Sequence, residues 1–392
     1  MAGALALATL ACQPSAPAPP TPVPPAATTP LVVPSPSPAI LTANQIGVAD
    51  PAVAISLWGN PSTTSRDLEL ARGAGFTWVK QRFEWRNIER DGKGQFQWSE
   101  PDRIVDAIGA TGLKIIARVD NQPKWASSKI AFPASGPPDN PQDFTDFLTA
   151  LAGRYKGRIQ AYEIWNEPNL AREWGERRPD PGEYARMLRA AYTAIKAADP
   201  QALVVSAGLA PTTRYDDTSV PDLVYLRSMY GANVKGAFDV LGVNAPGYKA
   251  APCDDPGQVA EDPALTNNDQ TLPVESRRVY AFRHVEDVRM IMSDRGDANK
   301  PIGILEMGWT TDPRPDSPYH WHAVSEQEQG TYLVDAFKCA RELWSPWIGF
   351  MTVIYLADPN WTRDQEQYWW SIDTPDGQPK QAYNALKSAL KQ

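Results

Sequence analysis

The chain has 392 residues, 42% hydrophobic and 21% charged, so it can bury a sizeable core and is too apolar for bulk disorder. Its net charge of −8 argues against a nucleic-acid partner, because phosphate binding needs a basic face. The three cysteines (Cys12, Cys253, Cys339) and three histidines (His284, His320, His322) fit no zinc-ligand spacing, and there is no P-loop or GxGxxG, so neither a metal nor a cofactor is expected.

Residues 2–11 form a short apolar run that ends in small residues before Cys12. The run is too short to span a bilayer and suits the core of an export signal. Residues 13–38 follow, with 11 prolines and no charge, a composition that makes an extended spacer rather than a core. The folded domain is therefore expected over 45–392. Small residues before a cysteine resemble the cleavage box of bacterial lipoproteins. That likeness implies lipidation of Cys12 and an exported domain held at a membrane surface by its anchor alone. An ordinary signal peptide, with Cys12 in the discarded part, is the other reading.

From residue 50 short apolar runs alternate with amphipathic stretches. Strands are expected at 53–58, 78–83, 114–119, 161–165, 203–206, 239–243, 302–306 and 351–356. Helices are expected at 102–111, 142–155, 182–198, 221–230, 277–293, 325–343 and 380–391. In the 182–198 stretch Tyr184, Met187, Leu188, Ala191, Tyr192 and Ile195 fall on one stripe. Eight short buried strands alternating with helices imply parallel βαβ units and an α/β fold, the (β/α)8 TIM barrel, whose active site lies at the carboxyl ends of the strands. A doubly wound open sheet is disfavoured by the lack of a Gly-rich turn after the first strand. Polar groups gather at the expected strand ends: Asp120-Asn121 on strand three, Asn166-Glu167 on four, Asn244 on six and Glu306 on seven. Desolvating such groups costs stability, and a catalytic cleft accounts for their placement.

Two stretches carry a family resemblance. Tyr162-Glu163-Ile164-Trp165-Asn166-Glu167-Pro168-Asn169 resembles the strand-four motif of glycoside hydrolase clan A, and Ile304-Leu305-Glu306-Met307-Gly308-Trp309 its strand-seven motif. The likeness spans about 50–392 and is nearest to families 5 and 39, the cellulase-like and β-xylosidase-like branches. It implies retaining hydrolysis of β-linked oligo- or polysaccharides, with Glu167 as acid/base and Glu306 as nucleophile about 5–5.5 Å apart. It further implies that Asn166 donates to the sugar 2-hydroxyl. Val79-Lys80-Gln81-Arg82-Phe83-Glu84-Trp85 and Trp125-Ala126 resemble the strand-two and strand-three segments. The chain departs from the family at strand six (Gly242-Val243-Asn244-Ala245-Pro246-Gly247-Tyr248) and strand eight (Val353-Ile354-Tyr355-Leu356-Ala357-Asp358), where the substrate is read.

Further roles follow from chemistry. A charge on Glu306 and partial burial would raise the pKa of Glu167, while Lys80 or Arg82 could keep Glu306 ionised. Trp125, Trp309 and Trp361 offer faces to sugar C–H surfaces, in a chain with 14 Trp against 10 Phe. Tyr248 is a candidate hydrogen-bond partner of Glu306 or the sugar, and Asn244 a substrate contact. Glu163 shares strand parity with Glu167 and is expected as a buried partner of Lys80, Arg82 or Arg118. Trp361 is equally a candidate for lid packing, and Tyr368-Trp369-Trp370 is expected to pack. His320 and His322 are expected to decorate the strand-seven loop. Cys339, on an amphipathic helix, is read as buried and free, with a Cys253–Cys339 pair as the alternative. The stretch 249–276 is read as an acidic, solvated loop. A monomer is expected. Two rival functions remain: a non-catalytic carbohydrate-binding lipoprotein and a transglycosylase.

Overall fold

The computed structural model describes residues 50–269 and 271–391. The expected export signal, Cys12 and the proline-rich spacer lie outside the described residues. Eight strands alternate with helices: β1 (Ala52–Leu57), β2 (Trp78–Arg82), β3 (Lys114–Val119), β4 (Ala161–Ile164), β5 (Leu203–Ser206), β6 (Leu241–Pro246), β7 (Ile302–Gly308) and β8 (Ile348–Val353). All neighbours pair in parallel, in the order β5-β4-β3-β2-β1-β8-β7-β6. The two edges meet through the parallel bridges Val205–Val240 and Leu209–Val243, which close the sheet into the expected (β/α)8 barrel.

Alternation along each strand decides which side chains enter the barrel. Ala54, Trp78, Ile116, Ala161, Leu203, Val205, Val240, Leu305 and Phe350 pack together as its buried filling. Two residues further along the same faces stand Lys80, Arg118 and Glu163. The interior thus changes from apolar to charged towards the carboxyl ends of the strands. The opposite parity (Val79, Ala117, Ile164, Val204) packs against the helices in the main core.

One strand breaks its alternation in a useful way. On β7 Ile304 pairs with Val243 and Glu306 with Asn244, so Leu305 is an extra residue at a register shift. The bulge lets consecutive side chains serve the interior, Leu305 in the filling and Glu306 in the charged layer above it.

The helix Pro181–Ala198 begins where the Asp180 side chain accepts from the Glu183 amide at 2.9 Å, with Pro181 in the first turn. It buries Tyr184, Met187, Leu188, Ala191 and Ile195, as the stripe predicts, while Tyr192 is half-buried. The helix Glu326–Trp344 opens on a capping box of Ser325 and Glu328.

Three local expectations are corrected. The expected helix 277–293 is broken into Val274–Arg277, two single turns and Val285–Asp294. The stretch 249–276 is not wholly a solvated loop: Asp255 caps a short helix, Pro256–Glu261, which buries Val259 and Ala260. Cys339 is not free. It is disulfide-bonded to Cys253, with a Cα–Cα distance of 5.6 Å, tying that segment to the helix Glu326–Trp344. A helix without a strong apolar stripe, Thr64–Ala74, also follows β1 and ends at Gly75, whose φ of 100° suits glycine.

Candidate active site

The chain leaves β4 through two left-handed residues, Trp165 (φ 75°) and Glu167 (φ 38°). Such backbone is costly for non-glycine residues and persists when its surroundings over-determine it. Here Trp165 is fully buried and donates its indole N–H to the Glu173 carbonyl at 2.8 Å. Asn169, also fully buried, donates to the carbonyls of Ala210 (2.8 Å) and Val220 (3.0 Å) and accepts from the Ala210 amide at 2.9 Å. These anchors fix the direction in which Glu167 projects.

Both Glu167 oxygens accept from donors. Asn244 Nδ2 lies 3.1 Å from Oε1, and Arg172 Nη2 lies 2.7 Å from Oε2. Burial is the largest influence on this carboxyl and raises its pKa; the charge of Glu306 adds to the rise, while Arg172 and Asn244 oppose it.

Glu306 has a different setting. Its Oε1 lies 3.2 Å from Lys80 Nζ and 3.5 Å from Arg118 Nη1. Lys80, 3% exposed, also meets Glu163 at 3.1 Å and donates to the Leu305 carbonyl at 3.2 Å. Burial pushes the Glu163 carboxyl up to about 7, against the pull of Lys80 and Arg118. Arg118 in turn pairs with Asp120 at 2.8 Å and donates to Asn166 Oδ1 at 3.2 Å. The residue beside Glu167 is thereby joined to Glu306 through one guanidinium.

The structure therefore brings together Glu167, Glu306, Asn166, Asn244 and Lys80 from four strands. Other candidates fall elsewhere. Trp309 is not a sugar platform: it is fully buried, donates to the Ala250 carbonyl at 3.0 Å and packs on Phe282 and Tyr332. Tyr248 does not bond Glu306; its hydroxyl donates to the Pro211 carbonyl at 2.9 Å. Arg82 pairs with Glu84 and lies over the Trp58 ring at 4.6 Å, so Arg118 takes the place beside Glu306 proposed for it. Trp125 is half-buried, edge-on to Trp85, with its N–H given to the Glu89 carbonyl at 2.6 Å. Trp361 is largely buried in an aromatic set with Trp58 (5.3 Å) and Tyr355 (5.4 Å). His320 and His322 form a single turn after β7, and Trp370 is buried.

Five residues join the site without having been candidates for it. Arg118 was legible as an inward residue by parity with Ile116, and Asp120 as a strand-end acid. Tyr355, just past β8, has its phenol pKa driven well above the usual value by burial and the Glu306 charge. Arg172, in the turn Ala171–Glu173, carries no periodic signal. Trp58, at the end of β1 and 36% exposed, stands between two cavities of about 460 Å³ each, one lined by Arg82, Glu84 and Gln97 and the other by Asp358, Trp361 and Gln367. Neither is lined by Glu167 or Glu306.

Known proteins share the barrel. The family model of cellulase (glycosyl hydrolase family 5) matches residues 41–256, more than half of the chain. A β-xylosidase of Geobacillus stearothermophilus is 27% identical over 130 residues, which is 30% of this chain and 25% of the relative. Among solved structures, a family 39 glycoside hydrolase from Bacteroides cellulosilyticus WH2 superposes with a TM-score of 0.63 at 17% identity, covering 86% of this chain and 63% of that one. A GH5_18 protein from Streptomyces cattleya, in complex with GlcNAc, gives 0.61 at 14% identity, covering 88% and 80%. The match thus spans a quarter of the curated relative's length, and the solved structures speak for the fold. The family model covers β1 to β6, and with the barrel and the Asn166-Glu167 strand end it makes the chain a member of glycosyl hydrolase family 5, the cellulase family.

Proposed function

We propose that this protein is a retaining glycoside hydrolase that cleaves β-linked oligo- or polysaccharides by double displacement. The observation that carries the reading is the contrast between two carboxyls on one barrel rim. Glu167 is buried and raised in pKa, as an acid needs, and Glu306 sits against Lys80 and Arg118, as a nucleophile needs. Glu306 attacks the anomeric carbon while Glu167 protonates the departing oxygen. Once Glu306 is esterified its charge is gone, and Glu167 can act as base towards water. Asn166, held by Arg118, would meet the sugar 2-hydroxyl. Trp58, backed by the buried Trp361 and by Tyr355, supplies aromatic surface beside the site. Family membership supports glycosidase chemistry; the names of the relatives set the sugars to try.

The test is a panel of aryl β-xylosides, β-glucosides and β-mannosides with the product anomer followed by NMR. Retained configuration is expected. Glu306→Gly should lose turnover and regain it with azide, whereas Glu306→Gln should not be rescued. Inverted product would falsify the mechanism, and inertness on the panel and on β-linked polymers would favour a binding role. We further propose export with a lipid on Cys12, which mass analysis of membrane-extracted protein tests: a Cys12→Ser chain should lose both the lipid and the membrane fraction.

A further inference from the structure

Arg172 makes a contact at odds with an acid. Its guanidinium lies 2.7 Å from Glu167 Oε2 while Asn244 occupies Oε1, so each oxygen already accepts from an N–H. Protonation would turn one oxygen into an O–H donor and a poor acceptor and remove the charge that pairs with the guanidinium, so these two contacts favour the carboxylate. The backbone that carries Arg172 is tied down. The Ala171 amide donates to Thr218 at 2.8 Å, Leu170 bridges Ser219, and the Trp174 amide returns to Ala171. The side chain, held by carboxylate contacts, is 63% exposed, against 14% for Glu167. Its second carboxylate neighbour is Glu173, at 4.0 Å.

We propose that Arg172 is a positioning residue that holds Glu167 as a carboxylate in the empty site and must release it before Glu167 can act as acid. An arriving glycosidic oxygen takes the place at Oε2, and the exposed guanidinium swings into water. Glu167, near the charge of Glu306 and stripped of its cation, then takes up a proton from water. That proton passes to the glycosidic oxygen as the C–O bond breaks and Glu306 bonds to the anomeric carbon. When the leaving group departs, Arg172 returns and favours the carboxylate that activates water. The other groups facing Glu167 do not substitute for it: Glu306 on β7 and Glu173 on the same turn are carboxyls, whose charge opposes rather than stabilises a second carboxylate, Asn244 on β6 is neutral, and Tyr248, Tyr319 and Tyr355 from the loops after β6, β7 and β8 are neutral phenols.

This inference rests on Glu167 being the acid/base, and its test separates the two. In Arg172→Met the alkaline limb of kcat/KM should move to higher pH, so that activity well above the limb, relative to each enzyme's own maximum, rises about tenfold or more. Arg172→Lys should restore most of the wild-type profile. With an activated aryl glycoside, whose slow step is hydrolysis of the glycosyl-enzyme, kcat of Arg172→Met should fall, because the base is less ionised. The carboxyl carbon resonance of Glu167, assigned by its loss in Glu167→Gln, should titrate at higher pH in empty Arg172→Met than in wild type. An unmoved limb and an unmoved titration overturn the inference. A titration that moves in a protein without glycosidase turnover keeps the ion pair and overturns the hydrolase reading instead.

Discussion

Lys80 is the most exposed to test of the buried charges, because one ammonium serves two carboxylates. Replacing it with Met removes ion pairs of 3.1 Å to Glu163 and 3.2 Å to Glu306. With an effective dielectric of about 20, each attraction is roughly 5 kcal/mol before desolvation is subtracted. Met needs no desolvation, so part of this is recovered; breaking a buried pair from one side typically costs about 3–5 kcal/mol net. The loss should depend on pH. Glu163 titrates at about 7 in the folded protein, so at pH 5 it can meet the loss of Lys80 as a neutral acid, while at pH 8 it must either stay charged without its partner or take up a proton against the solution. We therefore expect a larger destabilisation at pH 8 than at pH 5, measured by urea denaturation at both. Adding Glu163→Gln to Lys80→Met should recover a good part of the loss at pH 8. A cost below about 1 kcal/mol at pH 8, or a double variant no more stable than Lys80→Met, would refute the view that Lys80 anchors the charged layer.

The other predictions are simpler. The folded pKa of Glu163 and of Glu173, both pushed up to about 7 by burial, lies above the unfolded value near 4.5, so their contribution is complete below pH 4.5 and lost as pH rises through 7. His284, bridging Asp222 at 2.8 Å and Asp287 at 3.1 Å, is held up to about 9, so its contribution is present below about 6.5 and lost through 9. Thermal melts should accordingly fall from about pH 4.5 to 9, with Glu163 alone worth on the order of 3 kcal/mol between 4.5 and 7; a flat profile would contradict this. Cys253→Ser opens a disulfide that spans 86 residues of chain and should cost about 2–4 kcal/mol by denaturant titration. Trp58→Ala should raise KM for an oligosaccharide about fivefold to tenfold with a smaller change in kcat, the signature of a lost platform rather than lost chemistry.

The barrel was legible because its physics is local. The short apolar runs mark the buried strands, and the 3.6-residue stripe of Tyr184, Met187, Leu188, Ala191 and Ile195 records which side of that helix faces the core. The strand-end placement of the two glutamates was legible from the two stretches that resemble the clan motifs, and from the few structural uses of charge at a buried strand end. Trp309 misled because aromatic residues are common both in clefts and in cores, and only the arrival of Phe282 from a single turn and Tyr332 from the helix Glu326–Trp344 decides between them. The Cys253–Cys339 bond is a product of the same long-range folding. The β7 bulge was hidden because strict alternation places Leu305 and Glu306 on opposite faces, and the pairing with Asn244 overrides it. Arg172 was invisible because its contact with Glu167 depends on how the turn Ala171–Glu173 is held by the Thr218–Ser219 segment, which no pattern within residues 167–173 encodes.

The central claim, that Glu306 is the nucleophile and Glu167 its acid/base partner, meets its most direct test in covalent trapping. The protein would be incubated with a 2-deoxy-2-fluoro-β-glycosyl fluoride of the sugar it hydrolyses, digested with protease and sequenced by mass spectrometry. A glycosyl ester on the peptide that contains Glu306, formed in wild type and absent in Glu306→Gln, is the predicted result. An adduct on another residue, or hydrolysis with inversion and no adduct, would contradict it.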